Sequence, residues 1–485
     1  MVFSSAIFIF YFLPLSLLGY YVLPWRGGRH LFLTLASYVF YGWANPIFVP
    51  LMLGSSLADY VAGLVQAHNG FRNWRAEPPL LEPDSSRTRL QKGALVASLC
   101  LNLGLLGFFK YFNFAADNLH ALTSSLGLAH GEASGVLRVA LPLGISFYTF
   151  QSMSYSIDVY RGHTRAMRSP LDYACFVAMY QQLVAGPIVR FSEIADQLKG
   201  RTHTWDKFAR GCALFSLGLA MKVLLANPCG QVADVVWSAA SSRPGEAWAG
   251  AFAYSFQILF DFAGYSEMAI GLGLLMGFVF AKNFESPYKA DSITDFWRRW
   301  HISLSTWLRD YLYIPLGGNR RGEARTYFNL ALTMLLGGLW HGASWNFLIW
   351  GGLHGGLLAW ERWRGPKYLS RLPRLLKIAA TFLTVTLLWV FFRAPDLPSA
   401  LDFLARLCGL KAAGIGADLL PGIIYQPYYV LSLALAAACA WKLPTVWEWT
   451  QQLSAAKATA CVALLWLSLA VLVTQAYNPF IYFIF

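Results

Sequence analysis

Apolar residues along this chain gather in long blocks separated by short polar connections. The blocks lie near 3–24, 31–45, 47–66, 93–112, 139–158, 172–188, 208–226, 247–262, 265–280, 326–348, 350–361, 376–392, 422–441 and 458–485. A helix needs about 20 such residues to cross a bilayer. Several blocks reach that length. Others are short or interrupted, as re-entrant and interfacial segments are. The pattern predicts an all-α polytopic membrane protein with about ten to twelve spans. No internal repeat is evident, so residues 1–485 read as a single membrane domain.

Composition strengthens this picture. Of the 485 residues, 56% are hydrophobic and 13% charged; soluble domains carry about 25% charged residues. The net charge of +13 could suit a nucleic acid, but the basic residues lie in short loops between apolar blocks. That is the habit of cytoplasmic membrane loops, so no nucleic-acid partner is expected and membrane lipid is. The seven cysteines are scattered without a Cys-x-x-Cys pair, which predicts neither disulfides nor a metal site. The block Ala6–Leu23 has no basic run before it and no small-residue cleavage site after it. It reads as a retained first helix.

Charge also orients the chain. Arg26, Arg29 and His30 follow the first block, Arg72, Arg75, Arg87, Arg89 and Lys92 fill the 67–93 loop, and Arg161, Arg165 and Arg168 follow the fifth. Basic loops stay in the cytoplasm. All three loops agree if the N-terminus lies outside. The basic stretch 281–325 is then expected on the cytoplasmic side.

Four segments are more polar than their surroundings demand. Leu141–Tyr160 carries Ser146, Thr149, Ser152, Ser154 and Ser156. These would line a polar path or hydrogen-bond between helices. Phe260–Gly273 carries Asp261 and Glu267. A buried carboxylate must be paired or wet, so these two either serve chemistry or form ion pairs with Arg298, Arg299 or Arg309. Phe296–Tyr313 interleaves Trp297, Trp300 and Trp307 with Arg298, Arg299 and Arg309 around His301. This suits an acyl donor with phosphates and an adenine ring, or equally an interfacial anchor. Leu335–Ser344 holds the pair Trp340–His341 between glycines. A histidine at membrane depth is a functional candidate, and neutral imidazole is a suitable base for a hydroxyl. A satisfied structural histidine is the alternative.

Familiar soluble chemistries are missing. There is no Gly-x-Ser-x-Gly elbow, no phosphate-binding Gly-x-x-x-x-Gly-Lys loop and no His-Glu-x-x-His zinc motif.

Several of these segments together resemble one family. Met1–Ser5, Ala36–Tyr41, Leu141–Gly162, Val184–Arg190, Phe260–Gly273, Phe296–Tyr313 and Gly337–Gly342 are similar to the alginate O-acetylase branch of the membrane-bound O-acyltransferases. The resemblance implies a ring of helices around a transmembrane funnel in the bacterial inner membrane. It implies His341 as catalytic histidine, with His301 as the second active-site position. Trp340, Trp300, Arg298, Arg299, Arg309, Asp261 and Glu267 become candidates for lining the donor path. Acetyl-CoA is the implied donor, with no permanently bound cofactor or metal. The implied partners are a periplasmic acetyltransferase of the SGNH-hydrolase type and polysaccharide export machinery. Ala263 and Glu267 stand where close relatives often have Ser and Asp. The aromatic ending Pro479–Phe485 is similar to the motif of a small partner protein in teichoic-acid D-alanylation. That similarity implies Tyr482 as a possible acyl relay; an aromatic belt needs no such chemistry.

The expected function is transfer of acetyl from cytoplasmic acetyl-CoA towards a hydroxyl of an exported polysaccharide. Two alternatives stay open: transfer of D-alanine or another acyl group from a carrier protein, or a transporter without acyl chemistry. The paired broken helices common in transporters are not apparent.

Overall fold

The computed structural model describes residues 1–74, 76–83, 85–127, 138–365 and 372–481. Among them secondary structure is helical, with no strand. The described residues form two compact units. One comprises Met1, 7–204 and 276–280; the other comprises 2–6, 205–275 and 281 onward.

The first unit contains helices α1 (Leu13–Val22), α2 (Arg26–Gly42), α3 (Val49–His68), α4 (Arg89–Ser125), α5 (Ile145–Arg161), α6 (Pro170–Ala178) and α7 (Phe191–Lys199). Of the serines of Leu141–Tyr160, Ser156 bonds to a neighbouring helix. Ser156 Oγ lies 2.7 Å from Ser98 Oγ, and Ser98 donates to Asp59 Oδ1 at 2.6 Å. Asn102 Nδ2 donates to both Asp59 oxygens at 2.9 and 2.8 Å. A buried carboxylate is tolerable when saturated in this way. For Ser156, interhelical bonding is what the structure contains.

The second unit contains α8 (Trp205–Ala220), a π-helical stretch Met221–Ala226, α9 (Asn227–Ser238), α10 (Pro244–Leu275), α11 (Ile293–Arg299) and α12 (Ile302–Leu308). It continues with α13 (Glu323–His341), α14 (Trp345–Arg364), α15 (Arg374–Arg393), α16 (Leu397–Leu407), α17 (Pro427–Trp441) and α18 (Ala455–Thr474). The blocks 247–262 and 265–280 are not two helices: α10 runs unbroken from the first into the second, ending at Leu275, and the Gly264 between them is a packing residue, not a turn.

Glycines set the register of α8 against α10. A Cβ on Gly218 would lie 2.5 Å from the Gly264 carbonyl, and one on Gly211 would lie 2.8 Å from that of Gly271. Two such pairs, seven residues apart on each helix, fix an antiparallel pair at backbone contact. Extending the register by one turn brings Lys222 opposite Asp261.

Six helices of the described residues are long and apolar enough to cross a membrane: Pro46–His68, Arg89–Ser125, Trp205–Ser238, Pro244–Leu275, Arg374–Arg393 and Ala455–Thr474. A seventh candidate, Gly416–Ile424 with Pro427–Trp441, is bent by 66°.

Candidate active site around His301 and His341

The short helices α11 and α12 are built to break between them. Ser292 caps α11 by accepting from Asp295 N–H. Glu361 of α14 adds three bonds to the same end, from Ile293 N–H, Thr294 N–H and the Thr294 hydroxyl at 2.7, 2.9 and 2.7 Å. Trp300 is then extended, and His301 takes φ 44°, ψ 56°. That left-handed conformation costs a non-glycine residue about 1–2 kcal/mol, so something must hold it.

Asn283 does. Its backbone carbonyl accepts from Ile302 N–H at 2.9 Å. Its side-chain oxygen accepts from Ser303 N–H at 3.2 Å and from the Ser303 hydroxyl at 2.9 Å. Because a backbone N–H can only donate, the amide oxygen is fixed as the acceptor. His301 Nδ1, 3.2 Å from the same oxygen, is therefore the protonated nitrogen. Nε2 carries the lone pair, is buried, and meets no hydrogen-bond partner among the described residues. Burial, and then His341 nearby, push the His301 imidazole well below the usual histidine range, so it stays neutral.

His341 is the last residue of α13 and is nearly buried. Its ring packs edge-on to Trp340, Trp350 and Phe392, with centroids at 5.0, 5.4 and 5.2 Å. Trp340 also lies 6.1 Å from the His301 ring, so the two Trp–His pairs of the sequence converge.

Two spaces meet at His341. One is a cavity of about 480 Å³ lined among others by Trp297, Arg298, Ser305, Thr306 and Arg309. The other is a void of about 10 Å³ walled by Ile258, Phe262, Trp300, Trp389, Phe392 and Ile481, room for about one water. Arg298 has no hydrogen bond or ion pair among the described residues, which leaves its guanidinium available to an anion. Arg309 lines the same cavity but is held in a two-pronged pair with Asp310 at 2.6 and 3.1 Å.

Three candidates fall elsewhere. Arg299 is tied to Asp295 at 2.8 Å and to the Glu285 carbonyl, and does not line the cavity. Asp261 pairs with Lys222 at 2.8 Å, not with an arginine of 296–313. Glu267 borders a separate apolar cavity of about 420 Å³ with Leu217, Ala263 and Phe284. The register of α8 and α10 explains the correction: it turns the carboxylates of α10 towards α8 and away from α11. Tyr482 lies outside the described residues.

Sequence reasoning missed Asn283 and Lys222. Asn283 gives no local signal, because its partners are contributed by fold. Lys222 could have been found: it is a cation deep inside an apolar block, and such residues mark functional or tightly paired positions.

A multi-pass membrane protein with paired buried histidines beside an arginine-rimmed cavity has a known counterpart. The model of the MBOAT, membrane-bound O-acyltransferase family, matches residues 144–393, and the chain belongs to that family. It is an O-acyltransferase. Both histidines and the lining of both spaces except Ile481 fall within the matched residues.

Relatives place it further within the family. It is 49% identical over 409 residues to a probable alginate O-acetylase, AlgI, of Pseudomonas putida, covering 84% of this chain and 80% of that protein. It is 39% identical over 450 residues to the peptidoglycan O-acetyltransferase of Helicobacter pylori, covering 86% and 81%. It is 27% identical over 265 residues to the teichoic acid D-alanyltransferase of Bacillus subtilis, covering 50% and 65%.

Proposed function

We propose that this O-acyltransferase takes acetyl from cytoplasmic acetyl-CoA and passes it across the bacterial inner membrane for O-acetylation of an exported polysaccharide. The observation that carries the reading is the position of His341, which lines both the arginine-rimmed cavity and the aromatic void. A donor in the first and an acceptor hydroxyl from the second meet at one imidazole.

The chemistry needs no covalent enzyme intermediate at His341. The imidazole takes the acceptor's hydroxyl proton as its oxygen attacks the thioester carbonyl. The C–S bond then breaks, and the departing sulfur takes the proton. An acetyl ester and a free thiol result. Position at a helix C-terminus complements the positive charge that the ring acquires in between. His301, neutral and with Nε2 bare, is suited to accept a hydrogen bond from substrate or water. Arg298 and Arg309 suit the donor's phosphates. Trp300 walls the void, and Trp340 packs against both histidine rings.

In this reading the N-terminus lies outside, and a periplasmic transferase of the SGNH-hydrolase type and the export machinery receive the acetyl group. Tyr482 would carry acetyl between His341 and that partner as a phenyl ester. The decisive experiment is acetyl-CoA turnover by purified protein. His341→Ala should lower it by about 10²–10⁴-fold in protein that still purifies as a monodisperse species. Full turnover in that variant sinks the mechanism. Mass spectrometry after incubation with acetyl-CoA tests the relay: an acetyl ester on Tyr482 that is absent from His341→Ala supports it. Normal polymer acetylation in cells carrying Tyr482→Phe refutes it. Turnover of an aminoacyl-loaded carrier protein in place of acetyl-CoA would favour the D-alanine alternative.

A further inference from the structure

Lys222 sits inside the apolar span Trp205–Ser238, where an unpartnered cation is costly. The helix changes to π hydrogen bonding over Met221–Ala226, at Lys222 itself. Such widenings recur at functional positions. Its Nζ lies 2.8 Å from Asp261 Oδ1, and both side chains are almost fully buried. A desolvated ion pair is a poor source of stability, since well-packed apolar residues do as well or better. Its use must lie in what it places.

Neither partner stops at the other. Lys222 Nζ also donates to the Pro479 carbonyl. Asp261 Oδ2 accepts from Ile481 N–H at 2.8 Å. The pair thus holds the backbone of residues 479–481 at two points, one carbonyl and one N–H.

Other contacts orient the same segment. Tyr477 donates to Asp234 Oδ2 at 2.5 Å, and Asn478 Nδ2 donates to the Ser4 carbonyl at 2.8 Å. Phe480 stacks on Tyr265 with centroids 4.4 Å apart, and Tyr265 stacks on Phe3 at the same distance. At the end of this run, Ile481 enters the wall of the void beside His341.

We infer that Lys222 and Asp261 are positioning residues for acyl transfer: an ion-pair clip that grips the backbone of residues 479–481 and so sets a wall of the His341 void that the donor cavity does not share. The inference rests on His341 being the reacting centre proposed above. The clip acts on the acceptor side, so it governs transfer and not donor capture.

The test uses full-length purified protein and four changes: Lys222→Met, Asp261→Asn, Lys222→Arg and the exchange Lys222→Asp with Asp261→Lys. Two readouts are taken. One is acetyl-CoA turnover, resolved into kcat and KM. The other is photo-cross-linking from p-azidophenylalanine placed at Phe480, with the products mapped to the Phe3 and Tyr265 peptides. Lys222→Met and Asp261→Asn should lower kcat by about 10²-fold, the usual scale for misplacement near 1 Å. KM for the donor should hold, and the cross-link should fade. Lys222→Arg still donates to both oxygens and should recover rate and cross-link. The exchange is the sharpest arm. It restores opposite charges between the helices but offers an acceptor to a carbonyl and a donor to an N–H. Protein that folds yet still lacks transfer and cross-link is the expected result.

Wild-type transfer in the exchange variant overturns the inference, because the pair then only joins helices. So does an intact cross-link with wild-type kcat in Lys222→Met. If wild-type protein turns over no acetyl-CoA, the proposed donor is wrong, and the cross-link alone decides whether the pair grips the segment.

Discussion

Asn283→Ala offers the most direct test of how the site is held. The substitution removes three bonds at one oxygen, from His301 Nδ1, Ser303 N–H and the Ser303 hydroxyl, at 3.2, 3.2 and 2.9 Å. At about 1 kcal/mol each, somewhat less for the two long ones, the loss is about 2–3 kcal/mol. The left-handed backbone at His301 stores about 1–2 kcal/mol that these contacts oppose. The loss exceeds the strain, so the backbone should relax and carry the imidazole with it. Turnover should fall by about 10²-fold, with a lowered melting temperature.

Asn283→Asp separates geometry from charge. A carboxylate accepts the same three bonds but stabilises imidazolium, so it raises a His301 pKa that burial now holds well below 6.5. Protonation of Nε2 then sets in at higher pH. The acid limb of the pH–rate profile should move upward, with turnover near wild type on the alkaline side. In the native protein the neutral His301 also links stability to pH. The unfolded chain binds the proton first, so stability is lost as pH falls below about 6.5. Wild-type kcat in Asn283→Ala, or an unmoved acid limb in Asn283→Asp, would refute this account of His301.

Three further outcomes follow from particular contacts. Among the arginines, Arg298→Ala should raise the donor KM most and Arg309→Ala less, since Asp310 already holds that guanidinium; Arg299→Ala, outside the cavity, should barely change it. The Arg298 effect should shrink with added salt. Gly218→Val drives a side chain into the Gly264 carbonyl, and overpacking of this kind costs about 1–3 kcal/mol or more, read as lost yield and melting temperature. His354→Ala removes a fully buried ring that accepts from Trp297 Nε1 at 3.2 Å. It should lower melting temperature more than kcat, unlike His341→Ala.

Much of this was legible in the chain because the relevant signals are local. Apolar blocks announce α4, α10, α15 and α18. Trp340–His341 stands out because a polar ring in an apolar run demands an explanation. His301 was readable from its tryptophan and arginine neighbours. What was hidden depends on register. Ser156 could face water or another helix with equal ease until α4 supplied Ser98, itself bonded to Asp59 of α3. Asp261 and Glu267 sit six residues apart on one helix, yet Lys222 claims the first and an apolar cavity borders the second. Arg298 and Arg299 are adjacent but point apart, as neighbours on a helix must; pattern alone does not say which one meets the cavity. Asn283 acts across 18 residues, with no periodicity to betray it.

Helix α14 carries one more consequence. Trp350, against the His341 ring, His354, against Trp297, and Glu361, at the start of α11, recur at positions that bring all three to one face of the helix. Eleven residues separate the first from the last, about 16 Å along the axis. A single helix therefore packs against the His341 imidazole at one end and holds the start of α11, which carries Arg298, at the other. Under the proposed function, donor binding and acyl transfer thus share one helix as their mount, and a kink introduced between Trp350 and Glu361 is expected to disturb both together.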